Sequence, residues 1–432
     1  MNSKTYESVR EQVFSEKLEN GLQVFVLPKR GFNKNFAFFA TDYGGADRRF
    51  KVDGEWIDTP EGVAHFLEHK MFDTKDGGNA LSLLSATGAQ PNAFTSTQIT
   101  GYFFSGTENF ETNLRVLLDF VSVPYFTDES VNKEQGIIGQ EIHMGEDNPS
   151  HALYYGLMKL LYANNPIRDS VAGTVESIAE ITPKTLYDCH KIFYNPSNMA
   201  LVVVGDVEPE RVCEIAREVL PKEAGEQPLR DYGAPETGVP TEHETTREME
   251  VSQPMFMAGC AAKPVSGGEA LQRRDIVGGL AIEMIFGSSS PFALELYSSG
   301  AVGRDFGGGF ESAVGVAYTM FGGQCRDPQS VYDKVKAEIR RVQAEGFDET
   351  RFNRVKKATY GKSMRTFDSF DDVAYGIAQS HFHGFDALRG PEVLLEVTSD
   401  EVLKFVRENV EPDNMAISLV LPLKPQHEGN GE

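Results

Sequence analysis

The sequence predicts an α+β fold of two duplicated domains, each a mostly antiparallel mixed sheet with helices packed on one face. Three observations predict it. The chain repeats itself at half its own length, strand-like and helix-like patterns alternate within each copy, and a Pro-, Gly- and Glu-rich stretch separates the copies.

The repeat is explicit. ITPKTLYDCHKIFYNPSNMALVVVGD (181–206) aligns without a gap on VTSDEVLKFVRENVEPDNMAISLVLP (397–422). Thr182 pairs with Thr398, Asn198 with Asn414, Met199 with Met415 and Ala200 with Ala416, each at an offset of 216 residues. Tyr102 and Tyr318 share that offset. Solenoid repeats run roughly 20–50 residues, so this spacing marks a duplicated domain. The reading is a first domain over 1–220, a linker over 221–247, a second homologous domain over 248–423 and a disordered tail over 424–432. The linker has no apolar period and reads as extended chain.

Within the first copy, LQVFVLPK (22–29) and NKNFAFFATDYG (33–44) are rich in β-branched and aromatic residues and read as a hairpin-like pair of strands. TGYFFSGT (100–107) and MALVVVGDV (199–207) are further strands. NFETNLRVLLDFVSV (109–123) carries apolar residues at helical spacing.

Composition removes several function classes. A net charge of −23 repels phosphates and excludes nucleic acid as a partner. The sequence has no run of about 18 apolar residues, so no membrane partner is expected. The N-terminus MNSKTYESVREQ lacks the apolar core of a secretory signal. Cys189, Cys213, Cys260 and Cys325 are scattered without CxxC spacing, which suits a reducing cytoplasm rather than a disulfide scaffold.

The chemistry-bearing motif lies in DTPEGVAHFLEHKMF (58–72). Thr59 as N-cap, Pro60 at the first helical position and Glu61 in the first turn predict a helix starting there. On it His65 and His69 stand at i and i+4 on one face, where two imidazoles can share a tetrahedral metal. Glu68 lies on the same flank, near enough to reach a metal-bound water without being a ligand. This is the HxxEH order of the inverzincins. The competing structural reading is a solvated helix face with two unrelated histidines.

A catalytic zinc takes three protein ligands and leaves a place for water. The third is expected from DESVNKEQGIIGQEIHMGEDNPS (128–150), capped by Thr127 and ended at Asn148-Pro149. Its Glu134 and Glu141 are seven residues apart on one face. An ordinary amphipathic helix, with Ile137, Ile138 and Ile142 inward, reads equally well from the residues alone.

HFLEH followed by EQGIIGQE resembles the pitrilysin–insulysin family of zinc peptidases, in its small two-domain bacterial subgroup. GAQPNAFTSTQITGYFF (88–104), the NPSNMALVVVGD ending and the duplication extend the resemblance over nearly the whole chain. It implies the metallohydrolase fold shared by LuxS and the mitochondrial processing peptidase, with one zinc ion per chain. It makes Glu141 the third ligand beside His65 and His69, and Glu134 a supporting carboxylate. Asn92, Ala93, Phe94 and Thr95 then belong to an edge strand that binds unfolded peptide as an added β-strand. The implied reaction is endoproteolysis of unfolded, precursor or leader peptides, with Glu68 as general base.

The second copy has no HxxEH, and its SHFHG (His381, His383) offers no carboxylate at the needed spacing. In the family the metal-free half often supplies an Arg and a Tyr seven residues apart. ELYSSGAVGRDFGGGFES (295–312) has Tyr297 where Arg is expected and Arg304 where Tyr is expected. Two explanations follow: the exchanged pair does the same work, or a metal-free homologous subunit brings the Arg/Tyr pair. The second favours a heterodimer over a homodimer. GGGF (307–310) reads as a substrate-contacting loop or a tight turn. A zinc lyase or hydrolase without proteolytic activity, and a scaffold subunit that has kept the fold without catalysis, are the alternatives from other classes.

Overall fold

The strand β9, Met199–Gly205, is buried along its whole length, and its VVV run has the unbroken apolar character of a strand covered on both faces. Everything in the first half is arranged around it. In the computed structural model, which describes residues 1–424, the first sheet contains β1 (Asn2–Tyr6), β2 (Glu11–Lys17), β3 (Gln23–Pro28), β4 (Asn35–Thr41), β7 (Gln90–Thr95), β8 (Thr100–Gly106) and β9. Their order is β1-β2-β3-β9-β4-β8-β7. β5 (Arg49–Val52) and β6 (Glu55–Asp58) form a separate small hairpin.

The second sheet contains β10 (Glu244–Met249), β11 (Met255–Ala262), β12 (Gly307–Ala313), β13 (Val316–Gln324) and β14 (Ala416–Pro422), in the order β10-β14-β11-β13-β12. It repeats the inner part of the first sheet strand for strand. β3 runs parallel to β9 as β10 does to β14, and the other pairs of both cores are antiparallel. The fold is therefore α+β with two similar, antiparallel-rich domains, as the repeat predicts.

Two local expectations fail. β3 and β4 are not a hairpin pair, because β9, some 170 residues later in the chain, inserts between them. GGGF is neither loop nor tight turn but the start of edge strand β12, where Gly308 lets β13 approach: a Cβ there would meet the Met320 carbonyl at 2.5 Å.

Alternation sets the layers. Ala37 and Phe39 of β4 face helices of their own half, in a core with Leu67, Leu114, Leu117 and Leu186. Phe36, Phe38 and Ala40 face the other way. That opposite face is covered by a helix from the second half, Phe370–His383, through Val373, Ala374, Ile377 and Ala378. The exchange is reciprocal. Helix Pro149–Leu161 of the first half lays Leu157, Met158 and Leu161 on Val316, Tyr318 and Ala416 of the second sheet. Each of the larger aliphatic side chains among these contributes about 1.5–3 kcal/mol on burial, so the halves are joined by apolar burial and not by the linker alone.

The segment expected as linker has little regular structure, yet it is pinned. Its last residues are already β10. Arg230 lies 3.0 Å from Asp42 and 3.0 Å from buried Asp47. Tyr232 donates to Asp47 at 2.8 Å. Glu236 accepts the N–H groups of Ala163, Asn164 and Asn165 at 3.0, 2.7 and 2.6 Å. The expected tail lies, from 425 on, outside the described residues. Among the described residues no single helix is long and apolar enough to cross a membrane, and the four cysteines are buried thiols.

Candidate metal centre

The motif helix, Val63–Lys70, starts later than Thr59-Pro60-Glu61 predicts. The Thr59 N–H and hydroxyl both bond the Arg48 carbonyl, at 2.8 and 3.1 Å, and Glu61 pairs with the Arg48 guanidinium at 2.7 Å. Gly62, at φ 90° in the left-handed region, turns the chain into the helix. A Cβ on it would meet the Ala172 carbonyl at 2.5 Å. Val63, Ala64, Phe66 and Leu67 bury against the sheet, which turns His65 and His69 to the opposite flank.

The ligand helix, Asp128–Glu146, starts as expected. Thr127 and Ser130 form a reciprocal capping box, and Asp128 and Glu129 complement the positive helix end. Asn148 then caps the next helix, with Pro149 in its first turn. Val131, Ile138 and Ile142 point inward, but Ile137 is exposed, so one of the three isoleucines expected inside is not. Gln135 reaches the carbonyls of Ile178, Ala179 and Ile181 at 3.3–3.4 Å and anchors the helix between its two key carboxylates.

These helices bring His65, His69 and Glu141 together, with one donor atom from each lying within 4.8 Å of the others. Glu141 Oε2 is 3.7 Å from His65 Nε2 and 3.6 Å from His69 Nε2. Glu134 Oε1 lies 3.1 Å from His69 Nδ1. An ionised Glu134 can only accept, so Nδ1 carries the proton and Nε2 presents its lone pair to the centre. His65 has no such support: its Nδ1 is buried and bonds none of the described residues. Among the described residues an acceptor behind the ring therefore exists for His69 only.

The electrostatics treat the two imidazoles differently. Burial, and then the neighbouring His69, push His65 down to about 4, so its imidazole is neutral at ordinary pH. For His69 burial works against the charge, but the Glu134 bond and the nearby Glu141 and Glu68 charges win and raise it. Glu134 is held below its ordinary value, because the His69 bond and the Lys70 charge outweigh burial. Two imidazoles and a carboxylate, one imidazole oriented from behind, are a donor set that suits zinc.

Glu68 is buried beside this set, and burial raises its pKa against the lowering effect of a bond from Thr95. Thr95 Oγ1 donates to Glu68 Oε2 at 2.7 Å, leaving Oε1 unengaged by that bond. Here sequence reasoning assigned Thr95 only to peptide binding and missed its second partner. It also missed Lys70, fully buried, which bridges Asp73 and Glu134 (3.6 Å to the latter). The available signal was a lysine following HFLEH directly on a helix whose other face is core.

The other candidates fall in two places. Among the described residues β7 pairs with β8 only, which leaves its outer edge free. On it Asn92 is exposed and accepts the Ala93 N–H at 2.9 Å, and Ala93 packs toward the motif helix. The Phe94 side chain points away from the metal centre and stacks on Phe38, with Tyr375 of the second half 5.6 Å away. Tyr297 and Arg304 belong to the second half, where Arg304 Nε donates to the Tyr297 hydroxyl at 3.0 Å. They line an exposed cavity of about 350 Å³ with Leu294, Val302 and Phe306, none of it shared with the metal centre.

Comparison with known proteins decides the family. Residues 54–175 match the insulinase (peptidase family M16) model, and residues 180–359 match the model of the M16 inactive domain. The chain is 36% identical, over 96% of its own length and 98% of the relative's, to the uncharacterized zinc protease YmfH of Bacillus subtilis. This chain belongs to the M16 family. An M16-like peptidase from Alicyclobacillus acidocaldarius superposes with a TM-score of 0.91 at 32% identity, covering 96% of this chain and 99% of that one. Pitrilysin shares the fold, with a TM-score of 0.75 at 15% identity over 98% of this chain and 46% of its own length. The M16 inactive-domain match agrees with a second half that carries no HxxEH. The zinc proteases among the M16 relatives make this a zinc-peptidase-like chain.

Proposed function

We propose that this chain is a zinc-dependent endopeptidase that cuts unfolded peptides, among them precursor or leader peptides. The observation that carries the reading is the convergence of His65, His69 and Glu141 beside a buried carboxylate, Glu68, whose Oε2 is held by Thr95. His65 Nε2, His69 Nε2 and a Glu141 oxygen would hold one zinc ion. Bound there, zinc lowers the pKa of a water and polarises a carbonyl.

The chain's own residues do the rest. Glu68 Oε1 takes the proton from the attacking water and delivers it to the leaving amine. The burial that raises the Glu68 pKa brings the carboxyl nearer the range where it can both accept and release that proton. Glu134 fixes the tautomer and ring orientation of His69. The free edge of β7 pairs with an extended peptide through Asn92–Thr95, so folded segments are excluded and sequence preference is low.

The division of the chain into a metal-bearing 1–220, a linker over 221–247 and a metal-free 248–423 belongs to the same proposal. So do a cytoplasmic location, in keeping with four reduced cysteines, and a heterodimer in which a metal-free homologous subunit adds an Arg/Tyr pair. The Tyr297–Arg304 pair sits apart from the chain's own metal centre, which supports a second chain completing the site. Elemental zinc analysis with a fluorogenic peptide assay, with and without chelator, tests the function. Absence of zinc, or hydrolysis indifferent to the chelator, sinks it. Strong peptidase activity of the chain purified alone would count against the divided site.

A further inference from the structure

Beside the metal centre a cavity of about 300 Å³ opens between helix Pro149–Leu161, the end of the ligand helix, the 169–174 loop and strands β10 and β14. Glu141 is one of its walls. A peptide held at the metal centre therefore reaches the cavity within a few residues, each spanning about 3.3 Å.

Its far wall is built by periodicity. His151, Tyr155 and Lys159 recur every four residues along one helix face and all line the cavity. On β10, Thr245 and Arg247 alternate with Thr246 and Glu248, and both line the cavity as well. The floor is a close approach of helix to sheet: a Cβ on Gly156 would come within 2.3 Å of Ser418 Oγ and 3.2 Å of Thr245 Cγ2.

The lining carries four carboxylates, Glu61, Glu141, Glu146 and Asp169, and two cations, Lys159 and Arg247, and the two sets are engaged differently. Glu61 and Asp169 are both taken by Arg48, at 2.7 and 2.8 Å. Glu146 lies within hydrogen-bond distance of the His143 ring at 3.1 Å, and Glu141 faces the two motif histidines. Lys159 and Arg247, both exposed in the cavity, have no carboxylate within 4.0 Å among the described residues. In a chain of net charge −23, two unengaged cations share one cavity next to the reacting centre.

We propose that this cavity is a substrate subsite for a carboxylate, an Asp or Glu side chain or a peptide's C-terminal carboxylate, with Lys159 and Arg247 as its specificity-determining residues. The proposal rests on the peptidase reading above. It assigns a local preference opposite to the one the overall acidity suggests, because fields at contact distance outweigh distant charges screened beyond about 8–10 Å.

The test is cleavage-site mapping on a mixed peptide pool by the zinc-loaded full chain, together with any subunit that copurifies. Wild type is compared with Lys159→Glu/Arg247→Glu and with the neutral Lys159→Met/Arg247→Met. The expected result is an acidic residue at one fixed position from the cut. The charge reversal should lower kcat/KM for those peptides about tenfold and favour Lys at that position, with the neutral variant between. Amidated copies of each peptide separate the sources: loss of cleavage on amidation assigns the carboxylate to the C-terminus. Cuts without carboxylate preference, or the same preference in the charge-reversed protein, overturn the subsite. If no peptide is cut by zinc-loaded wild type, the peptidase reading has failed instead. Anisotropy of labelled Asp, Asn and Lys peptides on the zinc-loaded Glu68→Gln protein then still decides the cavity, and equal affinities overturn it.

Discussion

The hydroxyl of Thr95, on a free sheet edge, donates to Oε2 of Glu68, on the motif helix, at 2.7 Å. The strand proposed to offer backbone to a peptide and the carboxylate beside the metal centre are thus joined by one hydrogen bond. In the proposed mechanism Thr95 acts through Glu68, as a positioning residue. Thr95→Val should lower kcat about tenfold with little change in KM, the order of one hydrogen bond to a charged group. It should also move the acid limb of the pH–rate profile upward, since the bond lowers the Glu68 pKa. Thr95→Ser keeps the hydroxyl and should restore both. A change confined to KM would assign Thr95 to peptide binding alone.

Glu68→Gln separates metal binding from proton transfer. The amide keeps the shape and the Thr95 bond but cannot accept a proton, so activity should fall on the order of 10²–10⁴-fold with zinc content unchanged. Full activity in that variant would remove Glu68 as the base.

The two carboxylates of the ligand helix should fail differently. Glu141→Gln takes away a ligand and should leave the purified protein poor in zinc. Glu134→Ala leaves three ligands but frees the His69 ring, and should weaken zinc affinity about 10–100-fold. Competition with a chromophoric chelator reads both, without any need for turnover.

How far this could be read from the sequence depends on the range of each interaction. The strands β4, β8 and β9 are legible because FAFFA, GYFF and LVVV state their own period. The pairing of β3 with β9 is not, because it joins segments 177 residues apart, as Gln23 with Ala200, that local pattern cannot connect. The helix start shows the same conflict at short range. Thr59-Pro60-Glu61 is a sound local signal, overridden when Thr59 and Glu61 both bond to Arg48. His65 and His69 were legible from spacing alone. Glu141 needed the resemblance, because two carboxylates on an amphipathic helix face look the same whether solvated or aimed at a metal. The reciprocal exchange of helices Pro149–Leu161 and Phe370–His383 left no local mark, since either would be equally amphipathic on its own sheet.

A pH-dependent weakness is built into the second half. Asp275 of helix Gly268–Phe286 accepts the Ser312 hydroxyl at 2.7 Å, and burial pushes its carboxyl up to about 6. A folded pKa above the unfolded one means that the folded state holds this proton more tightly. The resulting contribution is full below about pH 4 and is lost as pH rises through about 6. Asp275→Asn keeps an acceptor for Ser312 and removes the charge. It should match wild type near pH 4 and be more stable by roughly 1–2 kcal/mol at pH 7.5, read as thermal midpoints across that range. Equal curves would remove Asp275 as the cause.

The inter-half segment should behave as a clamp. Arg230 sets its guanidinium between Asp42 and buried Asp47, and Tyr232 donates to the same Asp47. Removing one member of a buried pair strands the other, which typically costs about 3–5 kcal/mol, whereas replacing both can be nearly neutral. Arg230→Met should therefore lower the thermal midpoint clearly, and Arg230→Met with Asp47→Asn should recover much of the loss. Because the clamp sits where the segment leaves the first half, Arg230→Met should also open it to limited proteolysis near 223–243, with both halves surviving as fragments. Those fragments should stay associated on gel filtration, held by the two exchanged helices. A clamp-free protein whose halves separate after the cut would show that the segment, not the helix exchange, keeps the metal centre and the second half together.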